Sequence, residues 1–201
     1  MKGFDITPTL FLTRTINTLR YHIAINIIEK KRNYFKYFLT YLKIYILEFL
    51  SLLLADRIIF ASDSDIQFIL KTFKLKRIVN KISHFFNYID VDLFKPMNLN
   101  KNDKHILFVG HLYLAKNLLN LLNALKNLES FVLDIVGEGK LKETLKKKIK
   151  ELGINVNFLG RVPNEKLPKI INKYQIFILP SFYEGNPKVL LEAMSLLEAI
   201  T

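Results

Sequence analysis

Hydrophobic and polar positions follow two regimes along this chain, one on each side of a polar stretch at Asn98–Lys104. After that stretch, apolar runs rich in β-branched and aromatic residues alternate with segments of helical periodicity. His105 to Gly110, Phe131 to Val136, Val156 to Gly160 and Ile176 to Leu179 read as strands. Asn117 to Leu128, Lys142 to Leu152 and Glu165 to Lys173 read as the helices between them. This alternation predicts an α/β domain with a doubly wound parallel sheet. Ligands of such sheets bind outside the carboxyl ends of the strands. Here that edge carries the loops at Gly110, Gly137, Arg161 and Glu184.

Before the polar stretch the pattern changes. Tyr34 to Ala55 is the most apolar segment, interrupted by Lys43 and Glu48; Tyr37, Tyr41, Ile44 and Glu48 mark it as one long helix, apolar on nearly every side. Its uninterrupted run is shorter than the roughly 20 residues of a membrane span. A buried helix is the first reading, beside an interfacial helix and a spanning one. Ala55 to Ser62 reads as a helix end and a buried strand. Ser64 and Gln67 read as a capping box for a helix to about Thr72, and Lys76 to Phe86 has room for another short strand. Met1 to Tyr34 holds a turn at Thr7–Thr9, a weak helical pattern and no signal-peptide plan. The domain boundary falls at 97–98, giving a helix-rich first part (1–97) and a Rossmann-like second part (98–201).

The densest chemistry lies where the last predicted strand ends. Pro180 and Ser181 stop it, and Gly185, Asn186 and Pro187 open a helix, with Asn186 as N-cap and Pro187 at the first helical position. Val189, Leu190, Ala193 and Met194 form that helix's apolar face. A strand, a Gly-containing loop and a helix N-terminus together suit an anion. Two carboxylates frame the turn, Glu184 before the helix and Glu192 within it. Beside a phosphate a carboxylate is electrostatically wrong, so these two suit hydroxyls, as on a sugar or a ribose. The alternative is plain: Lys188 and Glu192 have i,i+4 spacing, which commonly gives a solvated surface pair.

Composition narrows the classes. The chain has 201 residues and half of them are apolar, enough for a packed core. There is no Cys, and the four His show no zinc spacing. The net charge of +12 favours anionic partners. The one local cluster, Lys146 to Lys148, reads as the wet face of a helix. Of seven glycines only Gly3 precedes residue 101, so the first half cannot supply a Gly-rich phosphate loop. Gly137-Glu138-Gly139 lacks the third glycine of a dinucleotide fingerprint and reads as a strand-to-helix turn.

The stretch from Pro180 to Met194, with Glu184 and Glu192 and the flanking Pro-Ser and Glu-Ala-Met, resembles the Glu-x7-Glu signature of glycosyltransferase family 4, the group 1 glycosyltransferases. The loop from Gly110 to Lys116 is similar to that family's Gly-Arg-Leu-x3-Lys-Gly loop, with His111 in place of Arg and Asn117 in place of Gly. Asn87 to Pro96 resembles its Asn-Gly-Val-Asp interdomain segment, with Tyr88 in place of Gly, where a turn wanting positive φ would be strained. Ala55 to Ser62 resembles the end of its N-terminal domain. The resemblance runs from about Ala55 to Thr201 and implies a GT-B-like fold: a partial, helix-rich piece of the acceptor-side domain, then an incomplete Rossmann-like donor domain. The chain would begin within the first domain and stop on entering a further strand, and no residue matches the family's N-domain catalytic His.

The resemblance also implies a retaining enzyme that uses a nucleotide-diphosphate sugar, with no metal or other cofactor. Lys116 and, as a weaker clamp, His111 would neutralise the diphosphate. Backbone near Arg161 and Val162 would meet the base. Glu184 would act at the reacting centre on the donor sugar hydroxyls, beside Gly185, Asn186 and Pro187, and Glu192 would take the ribose. A lone loop Lys is otherwise simply solvated, so Lys116 carries both readings. The acceptor would be a glycan or lipid-linked sugar in envelope polysaccharide synthesis, on the cytoplasmic side, with peripheral membrane contact left open and no specific nucleic acid. Two readings stay beside this one: a catalytically inactive family remnant, and a basic membrane- or nucleic-acid-binding protein.

Overall fold

The structure, a computed structural model, describes residues 34–196 apart from positions 75, 86, 129 and 185. The readings for Met1 to Asn33 and for Leu197 to Thr201 lie outside the described residues. The chain divides into two compact units, 1–86 and 87–201. The division precedes the one read from sequence at 97–98 because Phe94 is buried in the second unit's core. The side chain of Asn172 also holds this segment, accepting from the Met97 N–H at 2.8 Å and donating to the Lys95 carbonyl at 3.3 Å.

The first unit runs α1 (Tyr34–Leu54), β1 (Ile58–Phe60), α2 (Asp63–Phe73), a 3-10 turn at Lys76–Lys81 and β2 (Ile82–His84). The two strands pair in parallel, Ile58 opposite Ile82. Leu52, Ile58, Phe60, Ile69, Phe73 and Ile78 close the core. Lys81 Nζ donates to the Ala55 carbonyl at 2.8 Å, placing a cation beyond the C-terminal end of α1, where orphan carbonyls collect. Helix α1 is two-sided rather than buried all round: Ile44, Glu48 and Leu52 are buried, while Leu42, Ile46, Leu50 and Leu53 form an exposed apolar stripe. No helix among the described residues is long and apolar enough to cross a membrane. The expected capping box at Ser64 does not form. Ser62 is the N-cap of α2 without a side-chain cap bond, its hydroxyl lying 2.5 Å from that of Ser64.

The second unit runs β3 (Asn102–Val109), α3 (Leu118–Leu125), β4 (Val132–Val136), α4 (Lys142–Leu152), β5 (Val156–Gly160), α5 (Leu167–Ile171), β6 (Tyr174–Phe177) and α6 (Lys188–Leu196). Among the described residues its sheet is parallel, in the order β5-β4-β3-β6. Side chains of β3 alternate between two cores. Ile106 and Phe108 meet Leu118, Leu122 and Leu145 on one face, while Leu107 and Val109 meet Leu167, Ile171, Ala193 and Leu196 on the other. Leu107 and Phe108 are fully buried, and each such side chain contributes about 1.5–3 kcal/mol.

Strand β6 starts earlier than its apolar run suggests, because the polar Tyr174 pairs with Asn102. The predicted helix at Glu165–Lys173 is a 3-10 turn, Asn164–Lys166, followed by the single short helix α5. One buried polar node interrupts the apolar faces. Asp134 accepts from His105 Nδ1 at 2.6 Å, Asn157 Nδ2 at 2.7 Å and the Tyr174 hydroxyl at 2.8 Å. Burial, and then Asp134 beside it, hold the Tyr174 hydroxyl well above its ordinary value.

Candidate functional site

The carboxyl ends of the strands are laced together by loop backbone. The Gly110 N–H donates to the Val136 carbonyl at 2.9 Å, the Leu112 N–H to Glu138 at 3.1 Å, and the Gly137 N–H to Gly160 at 2.7 Å. Two of these loops touch so closely that only glycine fits. Gly137 has φ +136°, and a Cβ there would stand 1.9 Å from the Gly110 carbonyl oxygen; at Gly139 it would stand 2.5 Å from the Leu112 oxygen. The Gly-x-Gly turn is therefore a packing device between the first two loops.

The loop after β3 ends at Asn117, which has φ +56°. Asn is among the few side chains that tolerate this left-handed conformation. Its amide also donates to the Pro180 carbonyl at 3.1 Å, and the Phe182 N–H donates to the Ala115 carbonyl at 3.0 Å. These two bonds bring the loop after β3 against the loop after β6. They place Lys116 Nζ 2.5 Å from Glu184 Oε1, in a half-buried ion pair. The sequence assigned these two residues to different parts of one ligand; the structure puts them side by side.

Helix α6 begins at Lys188, one residue beyond the expected start. Its first turn closes on Pro187, whose carbonyl accepts from Leu190 at 3.0 Å and Leu191 at 3.3 Å, so Pro187 rather than Asn186 occupies the cap. The first N–H groups of the helix, at the positive end of its dipole, find no partner carbonyl within the helix itself. Glu192 is no surface residue: it is 3% exposed, and burial pushes its carboxyl above the usual range, with Lys188 acting against that shift. Lys188 Nζ lies 3.6 Å from Glu192 Oε1. Asn186 contributes its carbonyl, which accepts from the Asn87 side chain.

The remaining expected residues are less tightly held. His111 is exposed and stacks on Tyr113, ring centroids 5.7 Å apart. Arg161 is exposed and Val162 packs half-buried against the core beneath α6. Gly185 lies outside the described residues. Tyr88 shows no strain: among described non-glycine residues only Lys74 and Asn117 have positive φ. The sequence reading missed Asn117 as a loop coupler, although an Asn where a Gly is usual was its signal. Among the described residues no three His, Asp or Glu side chains gather as metal ligands. The edge thus offers a cation paired to a carboxylate, a helix N-terminus and a buried carboxylate within that helix, a set suited to a ligand carrying both phosphate and hydroxyls.

Comparison with known proteins agrees with this class. A family model described as glycosyl transferases group 1 matches residues 91–197, and the chain belongs to that family. It is 40% identical over 117 residues to a Campylobacter jejuni alpha-1,4-N-acetyl-D-galactosaminyltransferase named for a PP-undecaprenol-linked substrate, covering 55% of this chain and 30% of the relative. It is 30% identical over 144 residues to the amylovoran biosynthesis glycosyltransferase AmsD of Erwinia amylovora, covering 70% of this chain and 41% of that one. A structure of S. aureus TarM in complex with fondaparinux, alpha-GlcNAc-glycerol and UDP superposes with a TM-score of 0.65 at 18% identity, over 76% of this chain and 31% of that one. The fold is that of the GT-B glycosyltransferases. The chain spans well under half the length of these relatives.

Proposed function

We propose that this chain carries the donor half of a retaining glycosyltransferase that moves a sugar from a nucleoside diphosphate to a glycan or lipid-linked acceptor in envelope polysaccharide synthesis. The observation that carries this reading is the Lys116–Glu184 pair at the N-terminus of α6, with Glu192 buried within that helix. Lys116 and the helix dipole face the diphosphate, where negative charge grows as the glycosidic bond breaks. Glu184, released from part of its contact with Lys116, accepts donor-sugar hydroxyls, and Glu192 accepts those of the ribose. Backbone at Arg161 and Val162 meets the base, and His111 adds a weaker cation at the phosphates. Positive charge from Lys116 and the helix makes a resident metal unnecessary. The UDP in the TarM structure and the PP-undecaprenol in the Campylobacter name support a nucleotide-sugar donor and a lipid-linked acceptor. The exposed apolar stripe of α1 supports peripheral contact with the cytoplasmic membrane face.

Calorimetric titration of the whole chain with UDP, ADP and GDP tests the reading. One nucleotide should bind saturably, and Lys116→Ala should weaken it roughly tenfold or more, as expected for a charged hydrogen bond worth about 1.5–3 kcal/mol. Glu184→Ala should weaken the sugar nucleotide more than the bare nucleotide. A folded protein that binds none of the three would sink the proposal.

A further inference from the structure

Three residues around the start of α6 form a chain of contacts that the family signature does not include. Glu192 is buried, and its carboxylate lies 3.6 Å from Lys188 Nζ, four residues earlier on the same helix. That separation is close enough for strong attraction and longer than a direct hydrogen bond of about 2.7–3.2 Å, so Lys188 acts on the carboxylate as a nearby countercharge. Lys188 is half in solvent, and a long ammonium stem there has wide rotamer freedom. It is restrained from the other side, where Nζ lies 6.0 Å from the centroid of the Tyr88 ring, within cation–π range.

Tyr88 itself is 75% exposed, so its own burial does not account for where it stands. The neighbouring residue anchors it: the Asn87 side-chain amide donates to the Asn186 carbonyl just ahead of α6. A residue that in its relatives' segment is expected to be a compact glycine is here a large ring, tied to the site and set against the one cation that faces Glu192 among the described residues.

We propose that Lys188, held by the face of Tyr88, is the positioning residue for the Glu192 carboxylate, and that this pair sets the preference of the site for ribose over deoxyribose. The inference rests on the donor-site reading above. A carboxylate accepts two hydroxyls well only while it is charged and fixed, and a buried one needs a nearby countercharge that does not occupy its lone pairs. Lys188 supplies that charge, and Tyr88 keeps it from swinging into solvent.

The test uses the whole chain and whichever of UDP, ADP or GDP binds, compared by calorimetry with its 2′-deoxy form. Wild type should favour the ribonucleotide roughly tenfold or more. Lys188→Met should collapse that ratio to about twofold while Lys188→Arg retains it, and Tyr88→Leu should reduce it about threefold while Tyr88→Phe does not. A ribose preference that Glu192→Gln abolishes and Lys188→Met leaves intact overturns this inference and spares the donor-site reading. Binding of no nucleotide by the folded wild type overturns both.

Discussion

A carboxylate withdrawn from water destabilises a fold unless its neighbours compensate, and Glu192 is compensated only in part. Burial raises its carboxyl against the opposing pull of Lys188. The native state therefore holds this proton at pH values where the unfolded chain has lost it. Stability falls as pH rises from the ordinary carboxylate value into the raised one, and above that window the whole penalty is present. Glu192→Gln should accordingly melt higher than wild type at pH 7, by about 2–4 °C for a gain near 1 kcal/mol, and the advantage should vanish by pH 4. Paired melts at the two pH values check this; a variant less stable than wild type at pH 7 would show that the carboxylate is held by more than Lys188. Glu184 and Glu192 could be singled out from sequence by their spacing and flanks. The burial of Glu192 could not, since i,i+4 spacing with Lys188 fits a solvated pair equally well. Nor could the meeting of Lys116 with Glu184, 68 positions apart, which depends on the bonds Asn117 and Phe182 make between two loops.

Among the elements, β3, β4 and β5 and helix α4 were legible because their apolar runs or faces are unbroken. Strand β6 and helix α5 were legible as elements but not in their bounds, for reasons of pairing and local chemistry. Tyr174 and Gln175 are drawn into β6 by the pairing with β3, which no local pattern announces. Pro168 sits in the first turn of α5, after a 3-10 turn that consumes the residues expected to begin the helix. The connections between elements carry their own constraint at Gly137. Gly137→Ala combines a backbone conformation closed to side chains with a clash against the Gly110 carbonyl, and should cost about 2–4 kcal/mol. Gly153 is the control: its φ is +66° and an added Cβ meets nothing within 4 Å, so Gly153→Ala should cost only about 1–2 kcal/mol. Urea unfolding of both variants decides; equal costs would mean that the loop after β4 moves aside without strain.

For the molecule as a whole, each of the two units closes a core of its own, and the residues of the proposed donor site all belong to the second. The net charge of +12 favours anionic partners for the chain. Within the second unit, one side chain ties together all four described strands. His105 of β3, Asn157 of β5 and Tyr174 of β6 converge on Asp134 of β4. Removing that carboxylate takes a shared partner from three donors at once, at most cost for the half-buried Tyr174 hydroxyl and His105 ring and at least for the exposed Asn157 amide. The strands should therefore open together, with backbone amides of β5 and β6 exchanging hydrogen for deuterium at nearly the same free energy as those of β3 and β4. In Asp134→Ala the two outer strands should exchange at least tenfold faster than the two central ones. If protection instead falls evenly across all four, the sheet is held as one body by its apolar faces, and the buried carboxylate is only a passenger in it.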